Sequence, residues 1–407
     1  MRKLFLLGIV IFIAGVTVFW GVYYWKNLRG VGPVVLPPPE KIEDTLPPAR
    51  NNTEFPLKLP DGFSISLFAK DLPGARVMLA THGHPLLGFI AVSQTSQGKV
   101  TFLDDQGKVV DGLTIENLRK PHGLARDPLE PFEFYIAEEH RISRIALYSD
   151  GFMEKIADLP AGGGHFTRTL GFGPDGRLYV SIGSSCNVCN EKDERRAKIY
   201  SMNKDGSDFE EFARGLRNAV FFAWHPKTQK IWATEMGRDE LGDDLPPDEI
   251  DIVESGPSTK LRVNNYGWPI CYGRNVHDTD FDKNTYIRNP CEEPFEIPSY
   301  IDIPAHSAPL GLAFIPATES WPKEYWHDLL VAYHGSWNRS VPTGYKIVRF
   351  KLDENGISQG VEDFISGWLT RDNRALGRPV DILVQPDGMM YISDDKAGVI
   401  YKVTYKP

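Results

Sequence analysis

Apolar and polar positions alternate along most of this chain in short runs broken by turn dipeptides, and one phrase of that pattern keeps returning. It reads Leu170-Gly-Phe-Gly-Pro174-Asp-Gly-Arg-Leu-Tyr179-Val-Ser-Ile in the middle and Ile382-Leu-Val-Gln-Pro386-Asp-Gly-Met-Met-Tyr391-Ile-Ser near the end. Looser copies run from Phe222 through Pro226 to Trp232, from Gly311 through Pro316 to Leu329, and from Gly123 through Pro128 to Phe134. A degenerate sixth, Val77-Met-Leu-Ala to Phe89-Ile-Ala-Val, precedes them. Alternation around turn residues predicts short antiparallel strands. Recurrence at roughly 45 to 75 residues matches one four-stranded blade per copy. Six copies predict an all-β, six-bladed propeller, in which the inner loops of every blade surround one axial pocket.

The N-terminus breaks this rhythm. Met1-Arg2-Lys3 precedes an uncharged run from Leu4 to Trp25, long enough for a bilayer. Trp20, Tyr23, Tyr24 and Trp25 cluster at its far end, as an interfacial belt would. A single N-terminal transmembrane helix over 1–25 is expected, with a cleaved signal peptide as the competing reading. Prolines at 33, 37–39, 47 and 48 make 26–57 a semi-rigid spacer, leaving 58–407 for the propeller. The net charge of −9, without a basic stripe, argues against a nucleic-acid partner.

Four cysteines remain: Cys186, Cys189, Cys271 and Cys291. Cys186-Asn-Val-Cys189 is followed by Asn190 rather than the His of a haem-attachment site. Two disulfides, 186–189 and 271–291, are the economical reading for an exported protein; four buried thiols and a zinc site bridging distant blades are the alternatives. With the anchor, this predicts a propeller on the periplasmic or extracellular side of the cell membrane. Ser255 to Pro304 is a long insert carrying Cys271 and Cys291, and long inserts in compact repeat folds tend to be functional.

Three blocks carry chemistry. They are Gly162-Gly-Gly-His165-Phe-Thr-Arg-Thr-Leu170 with Ile182-Gly183, then Gly215-Leu-Arg217-Asn218, then Asp248-Glu249-Ile250-Asp251 followed by Asn265-Tyr-Gly-Trp-Pro269. In this order and spacing they resemble the pyrroloquinoline quinone (PQQ)-dependent soluble glucose and aldose-sugar dehydrogenases and their sorbosone dehydrogenase relatives, over residues 58–405. An imidazole is the side chain whose pKa suits a base near neutrality, and the glycines before His165 let backbone pass close to a ligand. The resemblance makes His165 the general base and places Arg217 and Asn218 on the quinone, where charge develops. A tricarboxylate cofactor calls for cations; Arg378 and Arg339 are candidates, and His122 another cofactor or substrate contact. The resemblance further implies Ca2+ on backbone carbonyls at Gly237 and Arg238; the acidic loop Asp239, Glu240, Asp243, Asp244 and Asp248 is a second calcium candidate.

The chain departs from its relatives in two places. Ala219-Val220 stands where they have Pro-Gln after Arg-Asn, and Ser184-Ser185 stands where an Asp follows Ile-Gly. The implied activity is oxidation of the C1 hydroxyl of an aldose or sorbosone-like aldehyde to lactone or acid. Electrons would pass to an external quinone or c-type cytochrome. Two other classes stay open: a non-catalytic binding propeller, and a calcium-dependent lactonase-type hydrolase.

Overall fold

The computed structural model describes residues 2–23, 50–81, 88–130, 132–146, 152–256, 263–294 and 296–405. Six antiparallel sheets each match one copy of the repeated phrase. The innermost strands are Ala75–Ala80, Gly123–Arg126, Leu170–Phe172, Ala219–Trp224, Pro309–Phe314 and Pro379–Val384; neighbouring ones touch around the ring, except that the fourth meets the third blade through its second strand, Leu178–Ile182. Second strands are sandwiched between blades. Leu178–Ile182, Ile231–Glu235, Leu329–Tyr333 and Met390–Asp394 are accordingly buried at every position, which is why they read as mostly apolar-aromatic runs. The fourth strand of the fifth blade, Ser358–Ile365, faces solvent over its first half.

The Pro-Asp-Gly phrase works the same way in both clear copies. Gly176 and Gly388 hold φ of +78° and +88°, conformations that glycine adopts without steric cost. The Asp175 and Asp387 carboxylates accept the amides of Arg177 (3.1 Å) and Met389 (2.9 Å). Each turn is thus dictated locally, from residues a few positions apart.

Ring closure is not local. Phe63–Ala69, from the start of the described propeller chain, pairs antiparallel with Val399–Tyr405 and completes the sixth blade. Asn51–Asn52 adds a short parallel strand outside it, and Leu57 is fully buried. Residues 51–57, at the end of the expected spacer, thus pack on the propeller. Phe63 locks the joint: its ring lies 5.0 to 5.4 Å from those of Trp321, Tyr325 and Phe364 of the fifth blade.

At the N-terminus a helix forms over Arg2–Tyr23, but among the described residues no helix is long and apolar enough to cross a membrane. The expected transmembrane helix is corrected accordingly. Tyr24, Trp25 and most of the proline-rich spacer lie outside the described residues.

Both expected disulfides form, Cys186–Cys189 and Cys271–Cys291, and there is no free cysteine. The 255–304 insert docks on the third blade: the amides of Tyr266 and Trp268 donate to the carbonyls of Arg214 (2.8 Å) and Gly215 (3.0 Å). Gly215 is required there, because a Cβ would stand 2.0 Å from the Asn265 amide oxygen.

Candidate active site

A propeller presents two kinds of loop at one mouth: segments leading into the innermost strands and turns leaving the second strands. From blades three to six these gather around a cleft of about 230 Å3. His165, Arg217-Asn218, His306 and Arg378 precede innermost strands; Met236-Gly237 and His334-Gly335 follow second strands. Asp239, Asp248, Trp337 and Asn338 complete the wall.

His165 is held by one ring nitrogen. Its Nδ1 lies 3.0 Å from the Ser184 carbonyl oxygen and 2.8 Å from Ser184 Oγ, and that hydroxyl donates to the Cys186 carbonyl at 2.7 Å. A carbonyl can only accept, so Nδ1 carries the proton and Nε2 keeps its lone pair. Burial first, then the charge of Arg217, pushes the imidazole down to about 3, so it is neutral at physiological pH. Ser184 occupies the place where the resembling family has Asp; a hydroxyl supplies no negative charge to hold an imidazolium. Gly183 leaves room for this arrangement, since a Cβ there would stand 2.7 Å from both the His165 Cβ and the Asn218 Oδ1.

Arg217 is almost completely buried and fully engaged. Nε donates to the Asn187 carbonyl (2.8 Å), Nη2 to Asn187 Oδ1 (2.9 Å), and Nη1 to the carbonyls of Met236 (3.1 Å) and Gly237 (2.9 Å). It offers the cleft a fixed positive field rather than spare donors. Asn218 gives its amide NH to Glu235, while its Nδ2 meets only the soft Met236 sulfur at 3.5 Å. Across the cleft, Arg378 Nε donates to the His334 carbonyl at 3.1 Å. His334 Nε2 lies 2.9 Å from Asp395, and burial together with Arg378 draws its pKa down to about 4. His306 behaves oppositely. Burial opposes its charge, but the neighbouring Asp239 and the Gly242 carbonyl carry it above its ordinary value. Asp248 accepts the amides of Gly237 and Ala308 and is raised to about 6 by burial.

Five of the eight sequence candidates thus share one cleft: His165, Arg217, Asn218, Gly237 and Arg378. Three stand elsewhere. Arg339 turns away to Asp244 (2.8 Å) and the Ala305 carbonyl. Arg238 forms a buried ion pair with Asp278 of the insert at 2.6 Å. His122 is completely buried against Phe221, its ring 5.4 Å away, and does not line the cleft. The acidic loop expected as a calcium site is dispersed: Asp239 and Asp248 line the cleft, Asp243 and Asp244 meet Ser340 and Arg339. Sequence reasoning missed His306, His334 and Asn338 as site residues. His334 and Asn338 flank Trp337 in a segment read only for its arginine.

The residues present fit an anionic quinone. A buried guanidinium, Arg217, and a half-buried one, Arg378, face one cleft, and Asn338 Oδ1 is buried there with no donor among the described residues. At the Gly237 and Arg238 carbonyls expected to take Ca2+, the Gly237 oxygen accepts one hydrogen bond from Arg217 and keeps a second lone pair, with the Asp239 and Asp248 carboxylates on the same cleft.

Fold and site define a six-bladed propeller whose axial cleft holds a neutral histidine and two arginines, one buried and one half-buried. The chain belongs to the TrAA12-like family, whose profile matches residues 58–406. Among curated proteins it is 38% identical over 231 residues to an uncharacterized protein of Borreliella burgdorferi, covering 56% of this chain and 58% of that protein. It is 30% identical over 151 residues to one of Synechocystis, covering 31% and 34%. The chain thus matches little more than half the length of the first and a third of the second. Among solved structures, the PQQ domain of pyranose dehydrogenase from Coprinopsis cinerea in its holo form is 19% identical, with TM-score 0.66, over 88% of this chain and 99% of that one. The calcium structure of a Trichoderma reesei family AA12 enzyme is 18% identical, with TM-score 0.67, over 88% and 99%. The apo soluble aldose sugar dehydrogenase of Escherichia coli is 16% identical, with TM-score 0.59, over 85% and 99%. At these identities the likeness is one of fold.

Proposed function

We propose that the protein is a PQQ-dependent dehydrogenase oxidising the C1 hydroxyl of an aldose sugar or a sorbosone-like aldehyde hydrate. The observation that carries this reading is His165 itself: Nδ1 fixed by Ser184, Nε2 unprotonated, and two arginines on the same cleft. Family membership and the sugar-oxidising structural neighbours support it. Oxidation of C1 removes one proton from the hydroxyl and a hydrogen with two electrons from carbon, leaving lactone. His165 Nε2 takes the hydroxyl proton. When bound, PQQ supplies the two-electron oxidant for the C1–H bond. Arg378 would hold its anionic edge, and Arg217's fixed charge favours electron flow toward it. Ca2+ held by the second lone pair of the Gly237 carbonyl would act as a Lewis acid on the quinone.

Electrons then leave for an external acceptor, a quinone or c-type cytochrome, since the sequence carries no haem-attachment motif. We place the propeller on the oxidising, outer side of the cell membrane; the two disulfides support that compartment. A lactonase-type hydrolase would need carboxylates converging on one axial metal. Among the described residues the only group of His, Cys, Asp or Glu close enough to share an ion is Cys186, Cys189 and Glu191, and its cysteines are joined in a disulfide.

The test is dye-linked oxidation of a panel of aldoses by the full chain, with and without added PQQ. Turnover that requires PQQ is expected; its absence, with no PQQ binding by absorbance titration, would leave a binding propeller.

A further inference from the structure

We propose that the loop closed by the Cys186–Cys189 disulfide is the positioning element of this site, and that Asn187 within it is the positioning residue for Arg217. The inference rests on the dehydrogenase reading only for its kinetic consequence; the geometry stands apart from it.

The loop leaves the second strand of the third blade and touches both halves of the chemistry within four residues. At its start, Ser184 fixes the His165 tautomer, and its hydroxyl is itself oriented by donation to the Cys186 carbonyl at 2.7 Å. Between the cysteines, Asn187 presents two oxygens to one face of the Arg217 fork: the backbone carbonyl to Nε and the amide oxygen to Nη2. The same amide oxygen accepts the Asp239 NH at 2.8 Å, and Asn187 Nδ2 donates to the Asp239 carbonyl at 3.1 Å. Asp239 in turn accepts from Asn338 at 2.7 Å, so one asparagine ties the third blade to the fourth and, through it, the fifth. Glu191 pins the far side of the loop through the Ser185 amide (2.6 Å) and hydroxyl (2.7 Å).

The crosslink is what makes this a support rather than a contact. Residues 185–189 are partly solvent-exposed, and ordering an open loop costs about 1–2 kcal/mol per residue. Closing the ring at Cys186 and Cys189 removes that freedom beforehand, so both Asn187 oxygens face the guanidinium without further ordering. Charge then connects Arg217 to the base. Arg217 and Arg196 lower His165, Asp239 raises it, and Arg217 is the larger of these three influences.

The test follows the His165 imidazole by NMR in the full-length apo protein, with His165→Ala assigning the resonance. Asn187→Ala and the Cys186→Ser/Cys189→Ser pair are compared with wild type by titration, melting temperature, and kcat against KM. Asn187→Ala removes the Nη2 bond but keeps the carbonyl bond to Nε, so loosening of Arg217 should raise the His165 titration point by about half a unit there and by more in the serine pair. Melting should change little, and kcat should fall at least about tenfold with KM nearly kept. An unchanged or lowered titration point in Asn187→Ala, or full turnover in both variants beside an active wild type, overturns the proposal. Asn187→Ala keeps the crosslink and decides the matter if the serine pair does not fold. Raised titration with no wild-type turnover would instead sink the dehydrogenase reading and leave the positioning intact.

Discussion

At the scale of single residues, the chemistry turns on what faces His165 Nδ1. Ser184 there leaves the imidazole near 3, so the acid limb of kcat/KM should lie well below pH 6. Ser184→Asp would place a carboxylate beside Nδ1 and should raise that limb by about 1–3 pH units; a pH–rate profile reads it directly. An unmoved limb would mean that His165 is not the titrating base. Arg378 is the second lever. Arg378→Ala should weaken PQQ binding by about ten- to a hundred-fold, the loss of one or two charge-assisted hydrogen bonds, as read by absorbance titration. His165, Arg217 and Arg378 were legible because each sits in a motif beside glycines and ahead of an innermost strand. His306 and His334 were not, because they reach the cleft from blades whose loops approach only in three dimensions. Arg339 misled for a simple reason: its neighbours Trp337 and Asn338 line the cleft, but its own guanidinium reaches Asp244 outside it.

At the scale of elements, the fourth blade carries an acidic face of a kind rarely buried. Glu235 and Glu249 stand opposite each other across paired strands, with Asp251 two residues on. Burial, and the charge each places near the next, holds all three well above the ordinary carboxyl range. A carboxyl raised on folding stabilises fully below its unfolded value, about 4, and loses that contribution as pH rises through the folded value. The lowered histidines His165 and His334 act the other way, costing stability only below about 6.5, where the unfolded chain takes up their protons. Above 6.5 the raised carboxyls and the raised His306 remain, and both lose their contribution as pH rises, so Tm should fall from pH 6.5 to 8.5, and Glu249→Gln should flatten that slope in a calorimetric scan. The Cys271–Cys291 crosslink, which closes a loop with a sequence separation of 20, should be worth about 3 kcal/mol in denaturant unfolding of the double serine variant. The acidic face was written in the sequence as Asp248-Glu249-Ile250-Asp251, but nothing local says that this strand is covered on both sides.

At the scale of the whole molecule, six repeated phrases gave six blades because each turn is enforced by residues a few positions apart. The closure was illegible for the opposite reason: pairing Phe63–Ala69 with Val399–Tyr405 joins the ends of the described propeller and leaves no local mark. Phe63→Ala should therefore be costly, about 3–5 kcal/mol by chemical denaturation, since it empties an aromatic joint between two blades. A loss below about 1 kcal/mol would show that the ring does not depend on this latch. The ring matters to function because it fixes four blades' loops around one cleft.

The most direct single measurement is the dye-linked kcat of His165→Ala beside wild type, at matched PQQ occupancy verified by absorbance. Loss of a general base should lower kcat by about 10²–10⁴-fold while PQQ affinity stays within a few-fold. Retained turnover at full occupancy would contradict His165 as the base, and with it the reading of this cleft.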